Sequence, residues 1–516
     1  MKRLITIISL ISVVLFSCSE DLLELNNPNS LVSTNAWNTK EDVKRGLTGA
    51  YHVLYNSFYN SFNAFLISGQ SDEFFSQSPD NMLSAFVNFV YGNYDQRWNY
   101  YAWNYLYQSV FRANQVIIHA EEVEWSDPAE KTDLLAQARA LRGMHYYYLT
   151  MLWKNVPLVD WISAPQDQAA ETPFEELVAF IEADLKFAAE NLPESYAGEP
   201  GRVNKYFAYT YLGKLYMNSG QWAKAKEALA VVVRSNKFSL VANYMDNFRH
   251  DTENNAESIW EIQHLDTNTN MGGYFGDPND GALTQYGCYR EKFLSGTPYG
   301  WGDYSAYTWL VDMYKDEKDK SGGYDIRLRD NLVYPDLFQD FPGETVFQTR
   351  TEWDSNIWKD PWCRKYTTGY YQSSTRWFTP INTRILRYAE ILMSYAECLV
   401  EADGSQAIPE AAGYVDLVRE RVNLYPLAQS VHKDCLNSKE AFIDRLRIER
   451  EKEICFEYDR FFDLRRWGLG TDAAFTQSVK NRVKKYEVSF SNGKEWLPKP
   501  QSEVDNNPYL TQNAGY

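Results

Sequence analysis

The apolar residues of this chain recur mainly at three- and four-residue steps, the spacing that lines one face of an α-helix. Leu47, Ala50, Tyr51 and Leu54 mark a first helix, and Thr39-x-x-Asp42 ahead of them has the form of a capping box, so that helix is predicted to begin near Thr39. Trp103, Tyr107, Val110, Asn114 and Ile117 form the next stripe. Leu134, Ala138, Leu141, His145 and Tyr148 form another, ending near Val156-Pro157-Leu158. Phe174, Leu177, Val178, Ile181, Leu185 and Ala188 make a further amphipathic helix, closed by Pro193.

Residues 206–237 carry the clearest repeat pattern. Tyr209-x2-Leu212-Gly213-x2-Tyr216, then Gly220 and Ala225-x3-Leu229, follow the tetratricopeptide template. In that template Gly213 allows the partner helix to approach, Gly220 makes the turn, and Tyr216 and Leu229 fill the groove. One such pair cannot bury its own face. Residues 103–153 and 384–421 are the candidate partners, the latter with Gly404 as its turn.

From Phe442 to Gly468 the periodicity predicts one amphipathic helix, with Phe442, Leu446, Ile454, Phe461 and Leu464 on its stripe. Glu449, Glu453 and Glu457 stack at i, i+4, where like charges repel. Arg450, Arg460, Arg465 or Arg466 are expected to neutralise them in a half-buried ion network. Carboxylates so paired have lowered pKa values and make poor general acids, so the expected role is structural.

Between about 250 and 383 the helical periodicity fades. Ser258-Ile259-Trp260-Glu261-Ile262 reads as a strand. Residues 265–309 then interleave glycines with Tyr274, Phe275, Tyr286, Tyr289, Tyr299, Trp301, Tyr304 and Tyr307. Irregular stretches this long are usually functional loops. A second aromatic cluster comprises Trp353, Trp358, Trp362, Tyr370, Tyr371 and Trp377.

The 516 residues carry 16% aromatic side chains, more than a core requires. The formal charge is −18, and removing a leader that holds Lys2 and Arg3 takes it to −20. That acidity argues against nucleic acid as a partner. Leu4–Phe16 is an apolar run too short to span a bilayer and follows a basic start, so residues 1–17 read as a signal peptide. Leu15-Phe16-Ser17-Cys18 resembles a lipoprotein cleavage box, which makes Cys18 the expected lipidation site and residues 18–36 a polar tether. Cys288, Cys363, Cys398, Cys435 and Cys455 are scattered, with no CxxC, and no disulfide framework is expected.

HExxH, G-x-S-x-G, P-loop and dinucleotide fingerprints do not occur in the sequence, and the six histidines lack metal-ligand spacing. No catalysis, cofactor or metal is expected; Asp277-x-Asn279-Asp280-Gly281 lacks later calcium ligands. The chemistry that remains is aromatic. Flat Trp and Tyr rings match the C–H face of a sugar, while Asp, Asn and Arg bind its hydroxyls. Two loops offer both. Residues 69–99 hold Asp72, Glu73, Phe75, Asn93, Trp98 and Asn99. Residues 274–309 hold Tyr289, Tyr299, Trp301, Asp303 and Tyr304, with Asp280 and Arg290 nearby. Asp72, Trp98, Asn99, Tyr289, Tyr299, Trp301, Asp303 and Tyr304 are the candidate ligand residues.

Several runs together resemble the SusD/RagB lipoproteins, nutrient-binding outer-membrane proteins of Bacteroidetes. They are Glu449-Arg450-Glu451-x-Glu453 with Phe456-Glu457 and Arg460–Gly468; Gln137–Leu158; Arg387–Leu392; Asp325-Ile326-Arg327; and the C-terminal Trp496–Pro500 and Glu503–Tyr516. Ser19-Glu20-Asp21 resembles the family's surface-export signal. The resemblance implies a mainly α, SusD-like fold over 37–516, with tetratricopeptide-like helix pairs at about 103–250 and 384–468 packed against a loop-rich ligand region at about 250–383. It further implies a surface lipoprotein of the outer membrane that binds oligosaccharides or polysaccharides and passes them to a SusC-like TonB-dependent transporter. A RagB-like peptide binder and a surface glycoside hydrolase are the alternatives.

Overall fold

The computed structural model describes residues 36–56, 58–59, 67, 69–92, 94–164, 167–266, 287–288, 290–373 and 378–516. Helix α1, Lys40–His52, opens on the predicted capping box. The Asp42 main-chain N–H donates to Thr39 Oγ1 at 3.2 Å, and the Asp42 carboxylate accepts from the Thr39 N–H at 2.8 Å. A short helix α2, Asn81–Val87, precedes α3, Arg97–Glu122, and α4, Pro128–Trp153. The latter starts with Asp127 as cap and Pro128 in its first turn, where the missing N–H costs nothing. Then follow α5, Phe174–Asn191, α6, Lys205–Asn218, and α7, Trp222–Val233.

Neighbours in this series pack pairwise: α3 on α4, α4 on α5, α5 on α6, α6 on α7. The α6–α7 pair answers to the template. A Cβ placed on Gly213 would lie 2.2 Å from Leu229 Cδ2, so the two helices meet where only glycine fits, and Gly220 turns the chain at φ +71°. The stack continues into α8, Tyr388–Asp403, and α9, Ile408–Arg421, separated by Gly404 at φ +79°. Helix α7 packs on α8, so two segments far apart in sequence form one helical layer.

The rest is loop-rich, held by short antiparallel strand pairs among the described residues. β1, Phe74–Ser76, pairs with β5, Tyr304–Ala306; β2, Val156–Pro157, with β3, Glu171–Thr172; β4, Ser258–Ile262, with β8, Thr383–Arg387; and β6, Leu332–Val333, with β7, Trp362–Cys363.

The stretch read as one helix from 442 to 468 is two. Helix α10 spans Lys439–Ile454 and α11 spans Arg460–Arg466, with Phe456 at φ +66° in the break. The break frees main-chain groups for tertiary bonds: Lys365 Nζ donates to the Cys455 carbonyl at 2.6 Å, and the Phe456 N–H donates to Glu73. The ion network is fully buried rather than half-buried, and most of its cations come from elsewhere in the chain. Glu453 meets Arg387 at 2.5 Å, Arg327 at 3.1 Å and also Arg421. Glu449 accepts from Arg445 at 2.8 Å and from Arg419; Glu457 meets Arg387 at 2.6 Å and Lys365 at 3.0 Å. Arg450 and Arg460 bind Asp463 and Asp72 instead. Burial alone would raise the glutamate pKa values, but the facing guanidiniums hold Glu449 and Glu457 below the ordinary range and Glu453 at about 2. The knot joins α9, α10 and β8. Cys288, Cys363, Cys398, Cys435 and Cys455 are buried free thiols.

Candidate functional site

The two segments singled out for aromatic content, 69–99 and 274–309, meet through the β1–β5 pair. Phe75 stands opposite Ser305, and Phe74 opposite Ala306. Strand alternation then separates the faces: Phe74 is buried, whereas Phe75 is half-buried on the other side. Two main-chain bonds lock the end of β5. The Tyr307 N–H donates to the Glu73 carbonyl at 3.0 Å, and the Ala306 N–H donates to the Pro361 carbonyl at 2.7 Å. Tyr307 thereby sits beside Phe75, ring centroids 4.9 Å apart and planes tilted by 45°.

These two rings line a cleft of about 480 Å³. Its polar members include Asn88, Thr308 and Asp360, and its far wall is helix α12, Lys484–Ser489, which contributes Lys484, Lys485, Ser489 and the exposed Val488. Asn88 is oriented by its Nδ2, which donates to the Ser76 carbonyl at 3.0 Å. Partial burial raises the Asp360 carboxyl pKa. Lys485 lies in this wall with its amine buried, donating to the Gly69 and Phe74 carbonyls at 2.7 and 2.6 Å, and burial pulls that amine down to about 7. The lysine ties α12 to β1, so the floor and one wall of the cleft are joined.

The candidate ligand residues distribute differently from expectation. Asp72 is buried, with its carboxylate bound by Arg460 at 2.7 and 2.9 Å and by Arg482 at 3.1 Å. Burial would raise its pKa, but the two guanidiniums hold it well below the carboxylate range. Trp98 is 1% exposed, a core side chain and not a platform. Asn99 is buried too. Its Nδ2 donates to the Pro498 carbonyl at 2.8 Å, and its Oδ1 accepts from Trp153 Nε1 at 3.1 Å. Tyr304 packs edge-on against Phe74 at 5.3 Å and is 1% exposed. Tyr299 stacks on Phe347 at 3.9 Å, which covers the ring face a ligand would need. Asp303 accepts from the Ser78 hydroxyl, and burial raises its pKa. These six are corrected to packing and bracing roles, because each lies buried in the protein interior and offers no open face to a ligand. Trp301 is half-buried against Phe293, centroids 4.8 Å apart. Tyr289, Cys18, the 277–281 stretch and Trp377 lie outside the described residues.

The structure brings parts of both loops together, but most of the candidate side chains within them are buried. Phe75 and Tyr307 are half-buried, as Trp301 is, and these two line the cleft. The signal that could have found Phe75 is its place in Phe74-Phe75-Ser76, where period-two alternation puts one phenylalanine inside and the next outside. Asp360, Lys484 and Val488 come from distant segments with no local sign of a shared site.

Residues 256–516 match the family model described as "SusD family", and residues 21–217 match one described as "Starch-binding associating with outer membrane". The chain is similar to SusD-like protein P25 of Formosa agariphila, 23% identical over 97% of both chains. It is similar in structure to a SusD superfamily protein of Bacteroides vulgatus, TM-score 0.79, 25% identical, covering 93% of this chain and 100% of that one. It also resembles in fold the surface glycan-binding protein A of Bacteroides thetaiotaomicron, solved in complex with laminarihexaose, TM-score 0.71, 22% identical, covering 92% and 100%.

Proposed function

The chain belongs to the SusD family, and from that premise we propose that it binds oligosaccharides or polysaccharides at the Phe75–Tyr307 cleft, without cleaving them. The observation that carries this is the pairing of two half-buried rings with Asn88, Thr308 and Asp360 around about 480 Å³, a volume in the usual range for ligand sites. Rings supply a surface for sugar C–H groups, and the polar rim supplies hydroxyl partners. Glycan-binding relatives of the same fold support the ligand class.

Binding without hydrolysis is supported by the cleft's carboxylates. Glycoside hydrolysis needs two, about 5–10 Å apart, and Asp360 is the carboxylate among the described lining residues. The glutamates of α10 are locked in ion pairs away from solvent.

The proposal extends to location and partner. Acylation at Cys18 anchors the protein on the outer membrane, surface-exposed, where it hands glycans to a SusC-like TonB-dependent transporter, with the helical layer facing the transporter. The RagB-like peptide reading has no comparable support in the cleft, whose half-buried surface is aromatic and hydroxyl-matching. A glycan array against wild type and Tyr307→Ala tests the ligand. Binding of glycans by wild type, lost in the variant with no product released, is the expected result; binding of peptides only, or release of shortened glycans, overturns the reading. Cys18→Ala is expected to leave the membrane fraction, and a variant that stays there refutes the anchor.

A further inference from the structure

Three acids are buried where the chain enters β1. Asp72 and Glu73 lead into the strand, Glu451 comes from the last turn of α10, and none is more than 1% exposed. One carboxylate oxygen of Glu73, one of Glu451 and Cys455 Sγ all lie within 4.8 Å of one another. Two ionised carboxylates this close in an interior repel each other unless a cation or a proton stands between them.

The surrounding groups do not supply enough positive charge. Arg460 of α11 and Arg482 both bind Asp72. Arg460 Nε also lies 3.0 Å from Glu451 Oε2, but its hydrogen is given to Asp72, and neither Glu451 oxygen accepts a hydrogen bond from a described residue. Glu73 accepts from the Ser71 hydroxyl at 2.8 Å and from the Phe456 N–H. On α12, the Lys485 amine is turned to the Gly69 and Phe74 carbonyls, where burial opposes its charge, and the Tyr486 hydroxyl donates to the Gln70 carbonyl. Burial pushes the Cys455 thiol, and Cys363 on β7, above the ordinary range, so both stay protonated. Beyond Cys455, Lys365 is held by Glu457, and the Tyr314 hydroxyl donates to the Lys452 carbonyl. Among the described residues three carboxylates therefore face two guanidiniums, and one negative charge is left over.

We propose that Glu73 and Glu451 share one proton at neutral pH, one carboxyl donating to the other, and that this proton controls how firmly Tyr307 is held in the cleft. A proton fits better than a metal ion, because the sulfur is a thiol and the Arg460 guanidinium beside Glu451 repels a cation. Burial first, and then the Glu451 charge, raise the Glu73 carboxyl well above its ordinary range; burial raises Glu451 against the pull of Arg460. The link to the cleft is the Glu73 main chain, whose carbonyl accepts the Tyr307 N–H at 3.0 Å. A Glu73 repelled by Glu451 loosens that bond. A carboxyl raised in the fold contributes stability that is full below its unfolded pKa and lost as pH rises through the folded one, so the brace weakens toward alkaline pH. Its bearing on glycans rests on the cleft reading; the shared proton does not.

The test uses full-length protein in detergent. Infrared spectra at pH 7 are expected to contain a protonated-carboxyl component that fades as pH rises and is missing from Glu73→Gln and from Glu451→Gln. Glutamine has the shape of the protonated acid, so both variants keep the fold, and the fading in wild type needs no variant. Hydrogen exchange, corrected for the intrinsic rate, is expected to show the Tyr307 and Phe456 amides losing about tenfold in protection from pH 7 to pH 9 in wild type and less in Glu451→Gln. A spectrum that neither substitution changes overturns the shared proton, as does one equivalent of zinc carried through purification and lost in Cys455→Ser. Constant Tyr307 protection while the infrared component fades overturns the link to the cleft. Glycans bound elsewhere would sink the cleft reading and leave the infrared result standing, so the two fail separately.

Discussion

Asp72 and Arg460 stand 388 residues apart in the chain and meet in a two-point ion pair, Nε to Oδ1 at 2.7 Å and Nη2 to Oδ2 at 2.9 Å, both side chains buried. Arg482, at the end of the helix Ala473–Arg482, binds the same carboxylate. One acid therefore holds the segment leading into β1, helix α11 and the helix that precedes the cleft wall. Asp72→Ala strands a buried guanidinium, and breaking a buried pair from one side costs about 3–5 kcal/mol. The urea midpoint of the variant is expected to fall accordingly. A ligand-contacting aspartate would instead lose glycan affinity at unchanged stability, and that outcome would reverse the assignment of Asp72 as a brace.

The buried acids also set the response to pH. Glu449, Glu453 and Glu457 have folded pKa values below their ordinary ones because guanidiniums face them. A group depressed in the fold contributes stability that is present above its unfolded pKa and lost as pH falls through its folded pKa. For Glu453, that window runs from the ordinary 4.5 down to about 2, and the shift corresponds to stability on the order of 3 kcal/mol. Thermal midpoints measured from pH 7 to pH 2 are expected to hold until about pH 5 and then drop steeply. A flat profile down to pH 3 would mean that the network contributes little.

Periodicity made the helical layer legible, because each helix buries one face and writes that face into the sequence. Gly213, Gly220 and Gly404 could be assigned since their roles are local: a close approach and two turns. The break at Phe456 was not legible. Nothing in Glu453–Arg460 opposes helix strongly, and the chain breaks there to meet Lys365 and Glu73, residues whose proximity only the fold creates. The same reason limits the site. Composition pointed to aromatic-rich loops, but whether Trp98 or Phe75 faces solvent depends on which distant segments cover it, and no local pattern records that.

Trp98 and Tyr307 separate packing from binding. Trp98 is 1% exposed, so Trp98→Ala opens a core cavity and is expected to cost about 3–5 kcal/mol in stability. Tyr307 lines the cleft, half-buried. Tyr307→Ala is expected to weaken glycan binding about tenfold, the loss of about 1.4 kcal/mol, with a smaller change in melting temperature. Titration calorimetry and calorimetric melting of both variants check the contrast. Equal effects of the two on binding, with neither affecting stability, would place the ligand elsewhere.

Two glycines in helices of the repeat layer should respond to alanine with opposite sign. At Gly213 on α6, a new Cβ would come within 2.2 Å of Leu229 Cδ2 and 2.6 Å of its Cγ. The branch point cannot swing aside without moving the whole side chain, so the α6–α7 contact must open, at a cost of about 1–3 kcal/mol. At Gly413 on α9, nothing lies within 4 Å of the added carbon, and the residue is exposed. There alanine removes backbone freedom from the unfolded chain and adds helix propensity, a gain of about 0.5–1 kcal/mol. Denaturation of Gly213→Ala and Gly413→Ala side by side is expected to move the midpoint down in the first and up in the second. A rise in both would show that α6 and α7 do not meet as closely as the tetratricopeptide-like pairing requires.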